Sequence, residues 1–231
     1  MTGRKRNRII IAAFLCLFFF TGTEFVLAQN SFIKEVSIGA NAGVNLSSIG
    51  FNSSKFSVRQ TKLPGGVGGV SVRFISEKNF GIQAELNYSQ RGWKEHDPDN
   101  PDKKYTRALD YLELPIMTHL YFDTGKYTRL VFNFGPQLGY LLGERVLDSN
   151  IVFDEDTPPY YSQDAQRKFD WGICFGGGFE LRTGIGSFVL DGRYYYGLSD
   201  IFNNSRSDDF ASSSNQVIGI KLTYFYTIKK F

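Results

Sequence analysis

Residues 80–88 read Phe-Gly-Ile-Gln-Ala-Glu-Leu-Asn-Tyr, and they alternate strictly between two kinds of side chain. The even positions are apolar, whereas the odd positions carry glycine or a polar side chain. Because successive side chains of a β-strand point to opposite faces, this stretch predicts a strand with one apolar and one polar face. The same alternation recurs in residues 132–140 and 169–176, so the chain is interpreted as a series of such strands.

Eight stretches of this kind run through the chain. Most exceed ten residues, whereas strands of soluble proteins average about 5–6 residues and about 9–11 tilted residues cross a bilayer. No helical apolar stripe of useful length competes with them after residue 28, so we expect almost no helix there. The predicted strands lie at about 35–47, 66–76, 79–91, 109–122, 128–142, 168–182, 187–198 and 216–228.

The connections between these strands alternate in length. Those at 77–78, 123–127 and 183–186 are short. The other four run from about 17 to 25 residues and hold most of the Asp, Asn, Ser and Pro. With both chain ends on the short-turn side, this pattern is typical of a bacterial outer-membrane barrel with periplasmic turns and longer extracellular loops.

The polar face of the strands indicates what the barrel encloses, because alternation alone also fits a soluble lipocalin-like barrel with an apolar interior. That face combines many glycines with charges of both signs. Small residues and opposite charges suit the narrow bore of an eight-stranded barrel, whereas glycines on the outside of a soluble barrel would only weaken its strands. We therefore predict a structural ion-pair network in the lumen, formed by Arg73, Glu85, Glu113, Glu180, Asp191, Arg193 and Lys221.

Aromatic residues of the apolar face cluster towards the strand ends and predict two interfacial girdles. Because hydrocarbon tolerates no unpaired strand edge, the first and eighth strands are expected to pair and close the sheet. The extracellular girdle comprises Tyr88, Tyr140, Trp171, Tyr194 and Tyr196, and the periplasmic girdle comprises Phe74, Phe80, Phe122, Phe188, Tyr224 and Tyr226.

Residues 1–28 have the layout of a secretory signal peptide. Four basic residues within the first eight positions precede an apolar run at 9–20, and Val26-Leu27-Ala28 suits cleavage after Ala28. That run is too short to span a bilayer comfortably as a helix. We expect residues 29–231 to form the barrel domain.

The chain that remains after this cleavage is formally neutral. Cleavage removes four of the 26 basic residues and one of the 23 acidic residues, which leaves 22 of each. A nucleic-acid-binding protein is expected to carry a basic surplus, so the balance argues against that class. Of the two cysteines only Cys174 remains, which excludes an intramolecular disulfide and predicts a buried free thiol.

Four motifs stand out on the predicted strands. They are Tyr-Leu-Glu-Leu-Pro at 111–115, Asn-Phe-Gly-Pro-Gln-Leu-Gly-Tyr at 133–140, Asp-Trp-Gly-Ile with Gly-Gly-Gly within 170–178, and Leu-Asp-Gly-Arg-Tyr-Tyr-Tyr-Gly-Leu at 190–198. Together they resemble the PorT-like outer-membrane β-barrel family of Bacteroidetes, also called the porin family or the outer membrane protein beta-barrel domain. Because PorT is implicated in type IX secretion, the resemblance implies an accessory role in protein secretion.

The two histidines are the candidates for catalysis. A lipid-modifying barrel needs a His, a Ser and a carboxylate at one outward-facing spot. By parity His119 points into the lumen near the periplasmic end, and His96 lies in the second long loop. We interpret His119 as a lumen residue with satisfied hydrogen bonds, so no catalytic residue is assigned.

Two carboxylates, Glu85 and Glu113, lie on facing surfaces of neighbouring strands. Paired carboxylates can perform acid–base chemistry. The favoured interpretation is ion pairing with Arg73, Arg193 or Lys221, because a narrow barrel needs such pairs. An eight-stranded lumen is only just wide enough for its own side chains, so we expect no sugar or amino acid to pass.

The long loops give weaker evidence for metal-binding or partner-binding sites. Acidic runs at 97–102 and 154–156 offer carboxylates to Ca²⁺ or to divalent ions that bridge lipopolysaccharide, but they lack the spacing and the glycine of an EF-hand and are interpreted as solvated. Trp93, Tyr160 and Tyr161 are assigned to loops, where aromatic side chains can contact a partner. No metal or cofactor site is predicted.

The C-terminal residue is Phe231, as it often is in substrates of the barrel assembly machinery. The apolar residues before it, which end at Ile228, are out of phase with position 231. Either the last strand ends near Ile228 with a short tail, or a bulge restores the phase.

These observations predict an eight-stranded antiparallel up-and-down transmembrane β-barrel of OmpA-like size in the outer membrane of a Gram-negative bacterium. We expect a non-enzymatic structural or interaction protein. Its expected partners are outer-membrane lipid and lipopolysaccharide, the barrel assembly machinery and an envelope protein bound through the extracellular loops, but no nucleic acid. A small-solute conduit and, less favoured, a lipid-modifying enzyme are the alternatives.

Overall fold

The computed structural model describes residues 32–51, 60–96, 104–150, 164–202 and 213–231. Neighbouring strands pair antiparallel in sequence order, and β1 also pairs with β8, so the sheet closes into the predicted barrel. The described residues contain no helix. The predicted signal peptide, at residues 1–28, lies outside them. The strands are β1 Glu35–Phe51, β2 Gln60–Glu77, β3 Phe80–His96, β4 Lys104–Asp123, β5 Thr128–Ser149, β6 Phe169–Thr183, β7 Gly186–Gly197 and β8 Ser213–Lys230.

The apolar face of the sheet points outward, as predicted. In β3, Ile82 and Leu86 are each nearly half exposed, whereas Gln83 and Glu85 between them are buried. An outer surface built of large apolar side chains would be unfavourable in water but matches the hydrocarbon of a bilayer. The lumen therefore receives the polar side chains.

The strands extend further at the predicted extracellular end than the sequence indicates. β5 runs to Ser149 rather than to residue 142, and β4 begins at Lys104 rather than at residue 109. Hydrophobic alternation ends where contact with lipid ends, but backbone pairing continues beyond it because a ladder needs no apolar face. The predicted loops are therefore too long, and the assignment of Trp93 to a loop is wrong: it lies in β3, inside the barrel.

The short turns lie where the sequence predicts them. In the turn between β2 and β3, Asn79 adopts a positive φ of 68°, and its side-chain amide donates to the Tyr121 carbonyl oxygen at 2.8 Å. In the turn between β6 and β7, Gly186 has a φ of 150°, which a residue with a Cβ rarely adopts. These local conformations hold the hairpins together on the side where both described chain ends lie.

A bulge brings the C-terminus into phase. The pairing of β1 with β8 shifts register between Val36 and Ser37, and the backbone N–H of Phe231 donates to the Lys34 carbonyl oxygen at 2.9 Å. Of the two alternatives for the chain end, the structure therefore shows the bulge. Phe231 is consequently on the outer surface, where it is exposed.

Candidate functional site in the barrel interior

Charged side chains fill the lumen in three layers, and the first of them lies nearest the periplasmic end. In this periplasmic layer the Arg73 guanidinium contacts Glu180 at 2.8 Å and lies 4.1 Å from the centre of the Phe225 ring. Arg129 lies 3.8 Å from the other Glu180 oxygen and binds Asp123 at 2.7 Å. Because Arg73 and Glu180 are almost fully buried, each needs the other as a counter-charge.

The middle layer is centred on Glu85. Its two carboxylate oxygens accept from Arg193 at 2.8 and 2.9 Å, and Lys221 contacts the same carboxylate. Arg193 also contacts Asp191. Two cations thus meet two carboxylates, and the layer is formally neutral without any ion from solvent.

The extracellular layer is built around Arg91. This guanidinium contacts Glu113 at 2.8 Å and Asp170 at 2.9 Å. It lies between the rings of Tyr111 and Tyr195, with centroids at 4.8 and 4.5 Å. The planar group therefore satisfies two carboxylates in its plane and packs against aromatic rings with its faces.

Three network residues, Arg91, Arg129 and Asp170, were not predicted from the sequence, and the partner of Glu113 differs from the expected ones. All seven predicted network residues face the lumen, but Glu113 binds Arg91 rather than Arg73, Arg193 or Lys221. The signal was present in the sequence, because Arg91 and Asp170 share the parity of the polar face in their strands. The three layers contain the five cations Arg73, Arg91, Arg129, Arg193 and Lys221 and the five carboxylates Glu85, Glu113, Asp170, Glu180 and Asp191.

Above the extracellular layer, apolar side chains cluster inside the barrel beside the buried charged residues Glu95 and Arg107. We call this region the mouth chamber, and its walls come from Ile49, Trp93, Tyr105, Leu109, Tyr111 and Leu141. Ala165, Ile201 and Phe202 enter it from segments that follow β5 and β7. Ile201 and Phe202 are each only 2 % exposed, so the chamber is filled by the chain itself.

A cavity of about 50 Å³ remains between the middle and extracellular layers, where Arg91, Glu113 and Lys221 are among its lining residues. A buried water needs about 10–15 Å³ by this measure, so the cavity has room for about three or four waters.

The catalytic candidates are not assembled into a site. The ring of His119 is fully buried, and its Nδ1 forms a 2.8 Å hydrogen bond with the Asn133 side-chain oxygen. Its Nε2 has no hydrogen-bond partner among the described residues, so the expectation of a fully satisfied ring is wrong. Glu85 and Glu113 belong to different layers and contact different cations. Within the described residues, no three His, Cys, Asp or Glu side chains converge as metal ligands do. The acidic runs at 97–102 and at 154–156, together with Tyr160 and Tyr161, lie outside the described residues, and of His96 only the backbone is described.

Cys174 is the described free thiol, and it is buried against Met117 and Tyr195. The predicted buried free cysteine is therefore confirmed.

The eleven predicted girdle residues all lie on the outer, apolar face. Phe188, Tyr194 and Tyr224 are half-buried, and the others are more exposed. Neighbouring rings contact each other, with centroids 5.1 Å apart for Phe188 and Tyr224 and 6.3 Å apart for Phe122 and Phe132. In register, Tyr88 and Tyr140 flank Leu112 at one level. An outward position with a polar tip suits a membrane interface.

A family profile described as outer membrane protein beta-barrel domain matches residues 27–203. The chain belongs to this family. It is an integral outer-membrane β-barrel protein. Among the described residues, no membrane-spanning helix is found. No curated protein matches the sequence significantly.

Solved outer-membrane barrels have a similar fold. OprG from Pseudomonas aeruginosa superposes with a TM-score of 0.51 at 10% identity, covering 83% of this chain and 96% of that one. Neisserial surface protein A superposes with a TM-score of 0.46 at 12% identity, covering 84% of this chain and 99% of that one. Ail of Yersinia pestis superposes with a TM-score of 0.40 at 14% identity, covering 83% of this chain and 99% of that one. That structure is a complex with the heparin analogue sucrose octasulfate. At these identities the likeness to OprG concerns the fold alone.

Proposed function

We propose that this outer-membrane barrel is a non-enzymatic interaction protein that acts through its extracellular strand ends and loops. The observation that carries the proposal is the filled interior. Three ion-pair layers and the occupied mouth chamber follow one another along the barrel axis. Since loops on a rigid scaffold commonly carry recognition, the extracellular surface is the part of the molecule available for function.

The same filling argues against the conduit alternative. Any solute that crosses must displace buried ion pairs such as Arg91 with Asp170, and breaking a buried pair costs about 3–5 kcal/mol. A solute would meet such a cost at each of the three layers in turn. A steady current through this lumen is therefore not expected.

Planar-bilayer recording tests this part of the proposal. The purified protein is expected to give no single-channel steps, while a large porin inserted in the same lipid gives them and shows that the assay works. Reproducible conductance from the wild-type chain, lost when it is heat-denatured, would contradict the proposal.

The partner we propose is an envelope protein, in the first place a component of protein secretion, as the resemblance to PorT implies. Affinity purification from native outer membrane, followed by mass spectrometry, identifies it. The matched control replaces residues 151–163 with a Gly-Ser linker of equal length. We expect specific envelope proteins with the wild-type chain and fewer with the control; identical lists from both chains and from untagged membrane would refute a loop-borne interaction.

We further propose that the barrel does not modify lipids, although it contacts outer-membrane lipid and lipopolysaccharide. His119 supports this, because it faces the lumen and not the bilayer. Lipid A and phospholipids from a heterologous outer membrane should have the same composition with and without the protein. A change in lipid composition that wild type causes and His119→Ala does not would support the enzymatic alternative.

The barrel assembly machinery is the proposed partner during insertion. Phe231 supports this, because the structure leaves its side chain exposed beside the seam between β1 and β8.

A further inference from the structure

The mouth chamber is the apolar region of an otherwise polar barrel interior. Trp93 and Leu109 are fully buried there, and the Trp93 and Tyr105 rings lie 6.2 Å apart. Trp93 is five residues beyond Tyr88 of the extracellular girdle, which corresponds to roughly 16 Å along a strand. The chamber therefore opens towards the extracellular side, beyond the lipid.

The occupant of the chamber is a short irregular segment of the chain, residues 198–202, with bends at Ser199, Ile201 and Phe202. The backbone N–H of Ile201 donates to the Ser213 carbonyl oxygen at 3.0 Å, and the Ile201 carbonyl oxygen accepts from the Arg167 N–H at 3.0 Å. Both backbone groups of Ile201 are thus hydrogen-bonded, one to the start of β8 and the other to the segment that precedes β6. Its side chain and that of Phe202 fill the apolar space.

A polar anchor fixes the start of this segment. The Ser199 hydroxyl donates to Asp170 at 2.6 Å and accepts from the Trp171 N–H at 3.0 Å. Asp170 is itself held by Arg91. A hydroxyl two positions before the aliphatic residue is therefore recognised by a group that the barrel interior already positions.

The segment is outside the continuous strand ladder. Pairing between β7 and β8 ends at Tyr196 with Gln216, and pairing between β6 and β7 ends at Gly172 with Gly197. Residues 198–202 can therefore open locally without breaking the barrel. Opening exposes two large apolar side chains, which keeps the open state to the order of one molecule in 10³.

We propose that the mouth chamber is a peptide-binding pocket that residues 198–202 fill in the absence of a partner. The partner is a short peptide segment with adjacent aliphatic and aromatic side chains, preceded by a small hydroxyl residue. It takes the place of Ile201 and Phe202 and makes the same backbone bonds. This inference rests on the proposed interaction function and names the chemistry that the partner presents.

Trp93 fluorescence tests this in the full-length protein. The chain has two Trp, so a Trp171→Phe background leaves Trp93 as the reporter in the chamber. In this background, Ile201→Ser with Phe202→Ser empties the pocket. The probe is the capped peptide Leu-Ser-Asp-Ile-Phe, the sequence of residues 198–202, and the control peptide carries Ser in place of Ile and Phe.

We expect the emptied variant to have red-shifted Trp93 emission, which the probe peptide reverses saturably and the control peptide does not. The unemptied chain should bind the probe roughly 1,000-fold more weakly, because only the open state, about one molecule in 10³, can accept it. Gel migration of unheated sample shows that the variant is folded. If it is not, Phe202→Ala in the same background replaces it, with the same expectation.

Three results would overturn the proposal: no saturable response in a folded emptied variant, equal affinity in both chains, or an equal response to toluene, which would show that the chamber accepts any apolar molecule. The outcome is separable from the proposed function. If peptide binds but no envelope protein co-purifies, the proposed function fails while the pocket remains.

Discussion

The charged residues of the lumen differ in how many partners each has, and this determines the cost of losing one. Glu85 is the single carboxylate that Lys221 contacts in the middle layer, and it also binds Arg193. Glu113 shares Arg91 with Asp170. Removing Glu85 therefore leaves two buried cations, Arg193 and Lys221, with Asp191 as their one carboxylate in this layer, whereas removing Glu113 leaves Arg91 paired with Asp170.

We predict that Glu85→Gln destabilises the barrel by about 3–5 kcal/mol, and that Glu113→Gln costs clearly less. Urea unfolding in liposomes, followed by tryptophan fluorescence, measures both. Equal urea resistance of wild type and Glu85→Gln would show that the middle layer does not stabilise the fold, and a larger loss for Glu113→Gln would reverse the ranking.

The contribution of Arg91 to stability depends on the shape of its side chain as well as on its charge. Its plane carries hydrogen bonds to Glu113 and Asp170 while its faces pack on Tyr111 and Tyr195. Arg91→Lys keeps the charge but loses the planar fork, so we expect a loss of stability smaller than that of Arg91→Leu, which strands two carboxylates. The same urea titration compares them. An Arg91→Lys variant as stable as wild type would mean that only the charge matters, and one as unstable as Arg91→Leu would mean that the charge contributes nothing without the planar fork.

At the scale of the strands, glycines differ according to the face they occupy. A Cβ at Gly178, on the inner face of β6, would overlap the Leu190 carbonyl oxygen, whereas a Cβ at Gly192, on the outer face of β7, meets nothing closer than 3.9 Å. The inner glycines thus let neighbouring backbones and side chains approach in the narrow lumen, and the outer one does not serve this purpose.

Gly178→Ala is accordingly expected to destabilise the barrel by about 1–3 kcal/mol through overpacking. Gly192→Ala is the matched control, and it should be neutral or slightly stabilising because alanine restricts the unfolded chain. Midpoints of urea unfolding give both values. Equal midpoints for the two variants would argue that the strands adjust around Gly178 without strain.

At the scale of the whole molecule, closure between β1 and β8 joins the two ends of the described barrel. A closed barrel in detergent resists unfolding until it is heated, so unheated and boiled samples are expected to migrate differently on a gel. Ala42→Pro places a residue without an N–H in the middle of β1 and should abolish the difference, while Ala42→Ser should retain it. A Pro variant that still shows two mobilities would indicate that the seam tolerates a missing bond.

The two-residue alternation predicted the strand count, because it repeats along the chain and follows from the geometry of a strand. The glycines and opposite charges of the polar face then predicted the outward apolar face and the inward position of the seven charged residues, and the need to pair strand edges in hydrocarbon predicted the closure. Only the tertiary structure decided which charges meet. Arg73 and Glu180 are 107 positions apart, and their contact depends on the relative heights of two strands around the ring. The mouth chamber likewise depends on the tertiary structure. Trp93 lies in a strand and Phe202 in the segment after β7, and they join one apolar cluster only because the folded chain brings the two into the same space.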